Sequence, residues 1–223
     1  MVCDFHTHTL LSDGELLPIE LIRRALVNGY RTIALTDHVA TGELDRVIPE
    51  TVAACALARS HWDVLAIPGI ELTHLPANAI ATAAKKAKEL GAWIVVVHGE
   101  TIAEPVEKGT NLAALRSPDV DILAHPGFLS LEEAGMAAAN GVLLELSARK
   151  GHCLTNGHVA SLAQQAGAKL LINSDAHSAQ DLLTTPLASA IIHGAGLDDA
   201  ACQQIMDTNP RDLIKKLPAG GRC

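Results

Sequence analysis

Seven short apolar segments of this chain each lead to histidine or acidic side chains. The segments and the side chains that follow them are residues 2–5 with His6 and His8, 32–35 with Asp37 and His38, 64–67 with Glu71, 93–97 with His98, 121–124 with His125, 141–144 with Glu145, and 169–173 with Asp175 and His177. Short apolar runs of this length are typical of buried strands. The carboxyl ends of the strands in a parallel barrel open onto one face. The pattern therefore predicts that these polar side chains meet at one site.

Helical segments alternate with the predicted strands, and they cover residues 18–27, 51–59, 79–90, 131–139 and 158–166. This alternation indicates βα units and a parallel sheet. The chain lacks the phosphate loops GxGxxG and GxxxxGK, and its polar groups are shared among all the strands, which favours a barrel over a doubly wound sheet. We predict a single-domain α/β fold, a seven-stranded barrel at residues 1–217 with a flexible tail at 218–223. Three more helices are expected at 188–192, 198–206 and 210–217, without an eighth strand.

The composition narrows the class of protein. The net charge is −8 and aromatic residues make up 2% of the chain, which disfavours a nucleic-acid partner. No apolar run is long enough to cross a membrane. The five cysteines are scattered and form no CxxC motif, which indicates reduced thiols and a cytoplasmic protein. Nothing in the composition indicates the oligomeric state.

The spacing of the polar residues indicates metal binding. His6 and His8 are two residues apart, so an extended segment directs both imidazoles to the same side. Asp175 and His177 repeat this spacing with mixed ligands, and a carboxylate such as Glu71 can bridge two cations. Asp37 is either a ligand or a group that orients a neighbouring imidazole. Imidazole and carboxylate together suit divalent transition metals, so we predict a hydrolase with several metal ions.

These motifs occur together in a known family. His6-Thr7-His8, Ser12-Asp13-Gly14, Thr36-Asp37-His38, Gly69-Ile70-Glu71, His98, Ala124-His125-Pro126 and Ser174-Asp175-Ala176-His177 resemble, in order, the motif set of the PHP (polymerase and histidinol phosphatase) family. The resemblance implies a distorted (βα)7 TIM-like barrel. It also implies two or three divalent metal ions, Zn, Mn or Fe, that serve to hydrolyse phosphoesters.

The resemblance also implies a set of metal ligands. His6, His8, Glu71 and Asp175 would hold a first metal; Glu71 would bridge to a second, completed by His98 and His125; His38 and His177 would hold a third. Bacterial histidinol phosphatases of the family place another histidine on the third metal. This chain has Asp13 in that neighbourhood, and other family members use an aspartate there, so Asp13 is a candidate ligand.

Basic residues follow the sixth predicted strand. Arg149 and Lys150 are candidates for binding a substrate phosphate, and the alternative is a solvated basic turn. Asp175 and His177 are candidates for proton transfer. Further contacts could come from Glu100, Asn156 and His158, whereas His61, His74 and His193 match no motif and are expected at ordinary surface or helix positions.

The sequence thus predicts a metal-dependent phosphoesterase, similar to histidinol phosphatases, that acts on a small phosphate monoester. One alternative is a nucleotide phosphodiesterase or exonuclease-like hydrolase of the same family. Another is a non-catalytic PHP-like subunit of an RNA complex, as in archaeal and eukaryotic ribonuclease P. The acidic balance and the retained ligand set favour the enzyme.

Overall fold

Seven parallel strands form a nearly closed barrel in the computed structural model of the protein, which describes residues 2–218. In chain order the strands are β1 (Cys3–Asp4), β2 (Thr32–Leu35), β3 (His38–Val39), β4 (Leu65–Leu72), β5 (Ile94–His98), β6 (Ile122–Ala124), β7 (Leu143–Ser147) and β8 (Leu170–Asn173). The barrel path is β1-β2-β4-β5-β6-β7-β8, and the short β3 pairs with β4 beside it. The predicted seven-stranded barrel is confirmed, with β3 as an addition. Residues 219–223 of the predicted tail lie outside the described residues.

The barrel closes through the segment that carries the first two histidines. Beyond β1, the backbone of His6 accepts a hydrogen bond from Asp175 N at 3.0 Å, and His8 N donates to Ala176 O at 2.8 Å. On the other side, Thr36 N donates to Thr7 O at 2.8 Å. Residues 6–8 are therefore held between the continuations of β2 and β8, where main-chain hydrogen bonds restrict their motion.

The helices lie between the strands and cover the outside of the barrel. Their bounds are α1 (Pro18–Val27), α2 (Leu44–His61), α3 (Ile80–Leu90), α4 (Thr110–Arg116), α5 (Leu131–Asn140), α6 (Asn156–Ala166), α7 (Thr185–Gly194), α8 (Asp199–Gln203) and α9 (Asn209–Lys216). Gly91 ends α3 with a φ of 109°, a conformation that glycine adopts readily. A capping box formed by Ser130 and Glu133 starts α5. Among the described residues, no helix has the length and apolarity needed to cross a membrane.

Two differences from the predicted helices have local causes. We predicted a helix at 51–59, but α2 begins at Leu44 and contains Pro49. Proline is tolerated near the start of a helix and usually marks it, so the pattern suggested a later start. Helix α4 was not predicted, because its seven residues contain too few turns to establish a helical period.

Apolar side chains fill the barrel and close its amino-terminal end. The interior cluster includes Phe5, Ala34, Ile67, Ile94, Val96, Ile122, Leu143 and Leu171. Leu213 and Ile214 of α9 pack onto this cluster, and each fully buried side chain of this size stabilises the fold by about 1.5–3 kcal/mol. Because α9 packs against residues near the starts of the strands, the opposite, carboxyl end of the barrel is free to form a site.

Candidate metal centre

The structure brings the predicted ligands together at the carboxyl end of the barrel. His6 and His8 follow β1, His98 is the last residue of β5, His125 follows β6, and Asp175 follows β8, and all of these side chains are buried. The backbones of Asp175 and His125 have positive φ angles of 53° and 27°. Such conformations cost about 1–3 kcal/mol and cluster at functional sites.

Glu71 lies within β4 and not after the strand as predicted, since β4 continues through Pro68 and Gly69 to Leu72. Gly69 permits this because β5 passes very close: a Cβ at this position would lie 2.9 Å from Ile94 O. Glu145 likewise lies inside β7. Both carboxylates therefore point into the site from rigid strands, with no exposure to solvent.

Glu71 contacts five imidazoles through its two oxygens. Oε2 lies 3.2 Å from His6 Nε2, 3.6 Å from His8 Nε2 and 2.7 Å from His38 Nδ1. Oε1 lies 3.2 Å from His98 Nδ1 and 3.5 Å from His125 Nε2. A carboxylate that presents each oxygen to a different set of imidazoles has the arrangement that a bridging ligand requires.

Asp175 forms a second centre of contacts in the same site. Its Oδ1 lies 3.2 Å from His8 Nε2 and 3.6 Å from His177 Nδ1. Its Oδ2 lies 3.2 Å from His152 Nδ1 and 3.7 Å from His125 Nε2. The predicted first ligand group is thus assembled around Glu71 and Asp175.

Asp13 joins His38 and His177 at the edge of the site. Its Oδ2 lies 3.2 Å from His177 Nε2, and its Oδ1 lies 3.7 Å from His38 Nε2. These three residues and His8 each offer an atom within 4.8 Å of the others. Asp13 is half exposed, whereas His8 is buried, so this group lies between the interior and the solvent.

Asp37 has a different role from both interpretations considered for it. It accepts hydrogen bonds from Thr9 N at 2.7 Å, Thr9 Oγ1 at 2.8 Å and Ser12 Oγ at 2.7 Å. Asp37 therefore fixes the loop that carries Asp13, and within residues 2–218 its side chain forms no hydrogen bond with an imidazole.

Many nitrogen and oxygen atoms in the site are buried without a hydrogen bond. Among the described residues these include His6 Nε2, both ring nitrogens of His8 and of His125, His98 Nε2, and Glu71 Oε2. A buried polar atom without a partner costs about 1–3 kcal/mol. Lone pairs of imidazole and carboxylate that face one another are satisfied by divalent transition metals. The residues present therefore fit a metal centre.

Glu145 orients His6 for such a role. Its Oε2 lies 2.8 Å from His6 Nδ1 and accepts a hydrogen bond from Asn173 Nδ2 at 2.9 Å. When Nδ1 donates this bond, the lone pair of His6 Nε2 is directed to Glu71 and Asp175. The position of Glu145 at a strand end was evident from the sequence, but its place behind the ligand His6 was not.

The electrostatics of the site follow from burial and close opposite charges. Burial alone lowers the pKa of His6, but Glu71, Glu145 and Asp175 outweigh it and raise that pKa well above its usual value. Burial lowers the pKa of His8 to about 3, and the neighbouring His38 adds to this effect. Burial would raise the pKa of Glu71, but His6, His38 and His98 hold it well below its usual value. Both directions favour an anionic Glu71 beside a protonated His6 as long as no cation is bound.

A cavity of about 270 Å³ opens above this cluster. Its lining includes Asp13, His38, His98, Glu104, Arg149, His152, Asp175 and His177. Arg149 Nη1 lies 2.8 Å from His177 Nδ1 and 3.3 Å from Asp175 O, so its guanidinium forms part of the wall. Lys150 is exposed and does not line the cavity.

Three other candidates for substrate contacts form hydrogen bonds outside the cavity. Glu100 Oε1 accepts hydrogen bonds from Gly109 N and Asn111 N at the start of α4. Asn156 bonds both backbone groups of Ser147, and His158 Nε2 bonds Leu129 O. These side chains stabilise the loops around the site and do not line the cavity.

Two histidines and a glutamate at the cavity mouth were not predicted from the sequence as site residues. His152 is buried, and its Nε2 lies 3.2 Å from Glu104 Oε1. His74 was expected at an ordinary surface position, but it lines the cavity with its Nε2 3.3 Å from Glu104 Oε2. The available signal was position: each of these histidines follows a strand by a few residues. His61 and His193 are exposed and do not line the cavity.

The chain resembles several known proteins. It matches no protein-family model. It is 47% identical over 215 residues to the uncharacterized protein MJ1295 of Methanocaldococcus jannaschii, which covers 96% of this chain and 99% of that protein. It is 27% identical to the probable phosphatase Teth514_1060 of Thermoanaerobacter sp. (strain X514), covering 89% and 88% of the two chains.

The chain also resembles part of a longer protein in sequence and a solved structure in fold. The chain is 28% identical to the DNA polymerase/3'-5' exonuclease PolX of Bacillus subtilis over 80% of its own length, but it spans only 35% of PolX. Among solved structures, a candidate histidinol phosphatase, hisK of Listeria monocytogenes, has the same fold with a TM-score of 0.57 at 13% identity, covering 80% of this chain and 96% of that chain. The chain therefore belongs to the same family as MJ1295, and its relatives named as a phosphatase and an exonuclease support the resemblance to the PHP family.

Proposed function

We propose that the protein is a metal-dependent phosphoesterase that hydrolyses a small-molecule phosphate monoester. The observation that carries this proposal is the cluster of buried, unpaired imidazole and carboxylate atoms directly beneath a cavity with an arginine in its wall. The relatedness to a protein named as a phosphatase over most of both chains supports hydrolysis of phosphate esters.

The proposed ligands follow the contacts of the two central carboxylates. A first cation would be held by His6, His8, Glu71 and Asp175, a second by Glu71, His98 and His125, and a third by Asp13, His38 and His177. When bound, divalent cations at such a centre supply positive charge for phosphoryl oxygens and make water acidic enough to serve as a nucleophile near neutral pH. Zinc, manganese and iron all suit this ligand set.

The protein's own side chains would bind and orient the substrate. Arg149 is the cationic side chain in the cavity wall, and its planar fork can donate two hydrogen bonds to phosphate oxygens. Asp175 and His177 also line the cavity, which makes them the candidates for proton transfer. A volume of about 270 Å³ lies at the small end of ligand cavities, and this favours a small substrate.

A second candidate function is cleavage of nucleotide phosphodiesters. The similarity to PolX, named as an exonuclease, favours this alternative. Against it, the chain has a net charge of −8, which opposes binding of long polyanions. A non-catalytic role in an RNA complex is less consistent with the structure, because such a role does not require buried groups without hydrogen bonds.

One experiment separates these functions. The purified chain, loaded in turn with zinc, manganese or iron, is assayed against phosphate monoesters, a simple phosphodiester and single-stranded oligonucleotides. We expect monoester hydrolysis to dominate and to disappear after chelation. Preferential cleavage of diesters or oligonucleotides would support the second candidate, and no hydrolysis with any metal would contradict both.

A further inference from the structure

A second group of ligand atoms lies at the mouth of the cavity, outside the set assigned above. Glu104 Oε2 lies 3.3 Å from His74 Nε2 and 3.3 Å from His98 Nε2. Ligand atoms of these three residues lie within 4.8 Å of one another. Glu104 Oε1 lies 3.2 Å from His152 Nε2, so a fourth residue can hold the carboxylate in place. The loop between β5 and α4 supplies Glu104, and the segment after β4 supplies His74.

His98 provides an independent indication that this group binds a ligand. Its side chain is 2% exposed, and its Nε2 lies 3.3 Å from Glu104 Oε2 without forming a hydrogen bond to it or to any other described residue. Its other nitrogen, Nδ1, faces Glu71 Oε1 at 3.2 Å. The ring therefore separates two groups of ligands, an inner group around Glu71 and an outer group around Glu104, and its outward nitrogen is unsatisfied.

We propose that His74, His98 and Glu104 bind an additional divalent transition-metal ion, distinct from those of the centre around Glu71. Two imidazoles and one carboxylate, with a further position open to solvent, form a ligand set that suits Zn²⁺. The bond between His152 and Glu104 would orient the carboxylate from behind, as partners of metal ligands commonly do. This inference concerns metal binding alone and does not rest on the proposed hydrolysis.

The geometry also predicts the order of affinity. His74 and Glu104 are 45% and 39% exposed, whereas the ligands around Glu71 are buried. Exposed ligands remain solvated and mobile, so less is gained when a cation replaces water. A neutral imidazole offers one lone pair, so the outer ion would share His98 with the second inner ion and compete with it for that ring. The outer ion should therefore be the more weakly bound and the first to be removed by a chelator.

Calorimetric titration of the metal-stripped chain with Zn²⁺ alone tests this proposal, with circular dichroism to show that each sample is folded. Glu104→Gln and His74→Ala should lose the weakest class of bound Zn²⁺ or weaken it by at least roughly tenfold, since even partners behind metal ligands contribute that much. Glu71→Gln should lose inner ions and keep the outer class. Co²⁺ absorption spectra should show the same losses independently of any activity.

The chain offers matched controls. Glu107→Gln removes a charge from the same loop, and His61→Ala removes an exposed imidazole outside the cavity; both should bind Zn²⁺ like the unaltered chain. The proposal is overturned if Glu104→Gln and His74→Ala keep every class of Zn²⁺ unchanged, or if Glu107→Gln loses the same class. Absence of phosphatase activity would contradict the proposed function, but it would not change the number of Zn²⁺ ions that the chain binds.

Discussion

Glu71 is the residue on which the centre depends most, because both of its oxygens face imidazoles and none of it is exposed. Burial of an anion is unfavourable unless opposite charge compensates it. Protons on the surrounding histidines can compensate Glu71 when cations are absent, and cations can do so when protons are displaced. In the proposed metal centre, Glu71 would thus couple the metal content to the charge state of its neighbours.

Glu71→Gln tests this assignment. The substitution keeps the shape of the side chain and removes its charge, so the barrel should still fold. We expect the metal content to fall by more than one equivalent and turnover to drop by roughly a thousandfold or more, because both charge stabilisation and the metal-generated nucleophile are lost. Elemental analysis and steady-state kinetics measure these effects. Glu89→Gln on the exposed face of α3 is the control, and near-normal hydrolysis by folded Glu71→Gln would place the centre elsewhere.

Arg149→Ala tests substrate binding. The guanidinium lies in the cavity wall beside His177 and Asp175, so its removal should raise KM for a phosphate ester by roughly tenfold or more, the scale of a charge-assisted hydrogen bond. Arg116→Ala, an exposed arginine at the end of α4, should leave KM unchanged. Equal KM values for the two variants would show that Arg149 does not bind the substrate, as in the alternative of a solvated basic turn.

At the level of elements, the alternation of helix and strand could be predicted because hydrophobic period and glycine positions are local properties. Residues 18–27 form α1 and residues 32–35 form β2 as predicted. The extent of β4 could not be predicted, since Pro68-Gly69 resembles a turn and only the close approach of β5 explains the glycine. His74 and His152 were missed for a related reason: His74 lies in an irregular segment and His152 begins a four-residue 3₁₀ helix, and neither is long enough for a period to show which way a side chain points.

Gly14→Ala tests the loop that carries Asp13. A Cβ at Gly14 would lie 2.5 Å from His8 O, which is closer than atoms can approach without a backbone shift. We expect a destabilisation of about 1–3 kcal/mol, as for other overpacked sites, and a weakened third metal group. Gly135→Ala is the matched control: it lies inside α5 with nothing within 4 Å of the added Cβ, so it should stabilise by about 0.5–1 kcal/mol. Denaturant unfolding measures the free energy of unfolding of both variants. Equal values for the two would show that the loop can shift without cost.

At the scale of the whole molecule, the two ends of the barrel differ in what stabilises them. Apolar side chains and α9 close one end, whereas the other end holds carboxylates and imidazoles whose buried atoms lack hydrogen bonds. Metal ions that bind the native state and not the unfolded chain should therefore contribute to global stability. The same ions would offset part of the net charge of −8, since Glu71, Asp175 and Asp13 all lie in the site.

Removal of metal should accordingly lower the Tm of the protein. A site occupied at a hundredfold excess over its Kd stabilises by about 2.7 kcal/mol, which corresponds to a shift of roughly 5–10 °C for a chain of this size. We expect the purified chain to carry at least two equivalents of zinc, manganese or iron, and its Tm to fall on chelation and recover when the metal is restored. Glu71→Gln should show a much smaller change, because it lacks the bridging charge that couples the ions to the barrel. If the Tm of the unaltered chain changes neither on chelation nor on addition of metal, protons alone satisfy the buried cluster. The metal assignment would then be wrong.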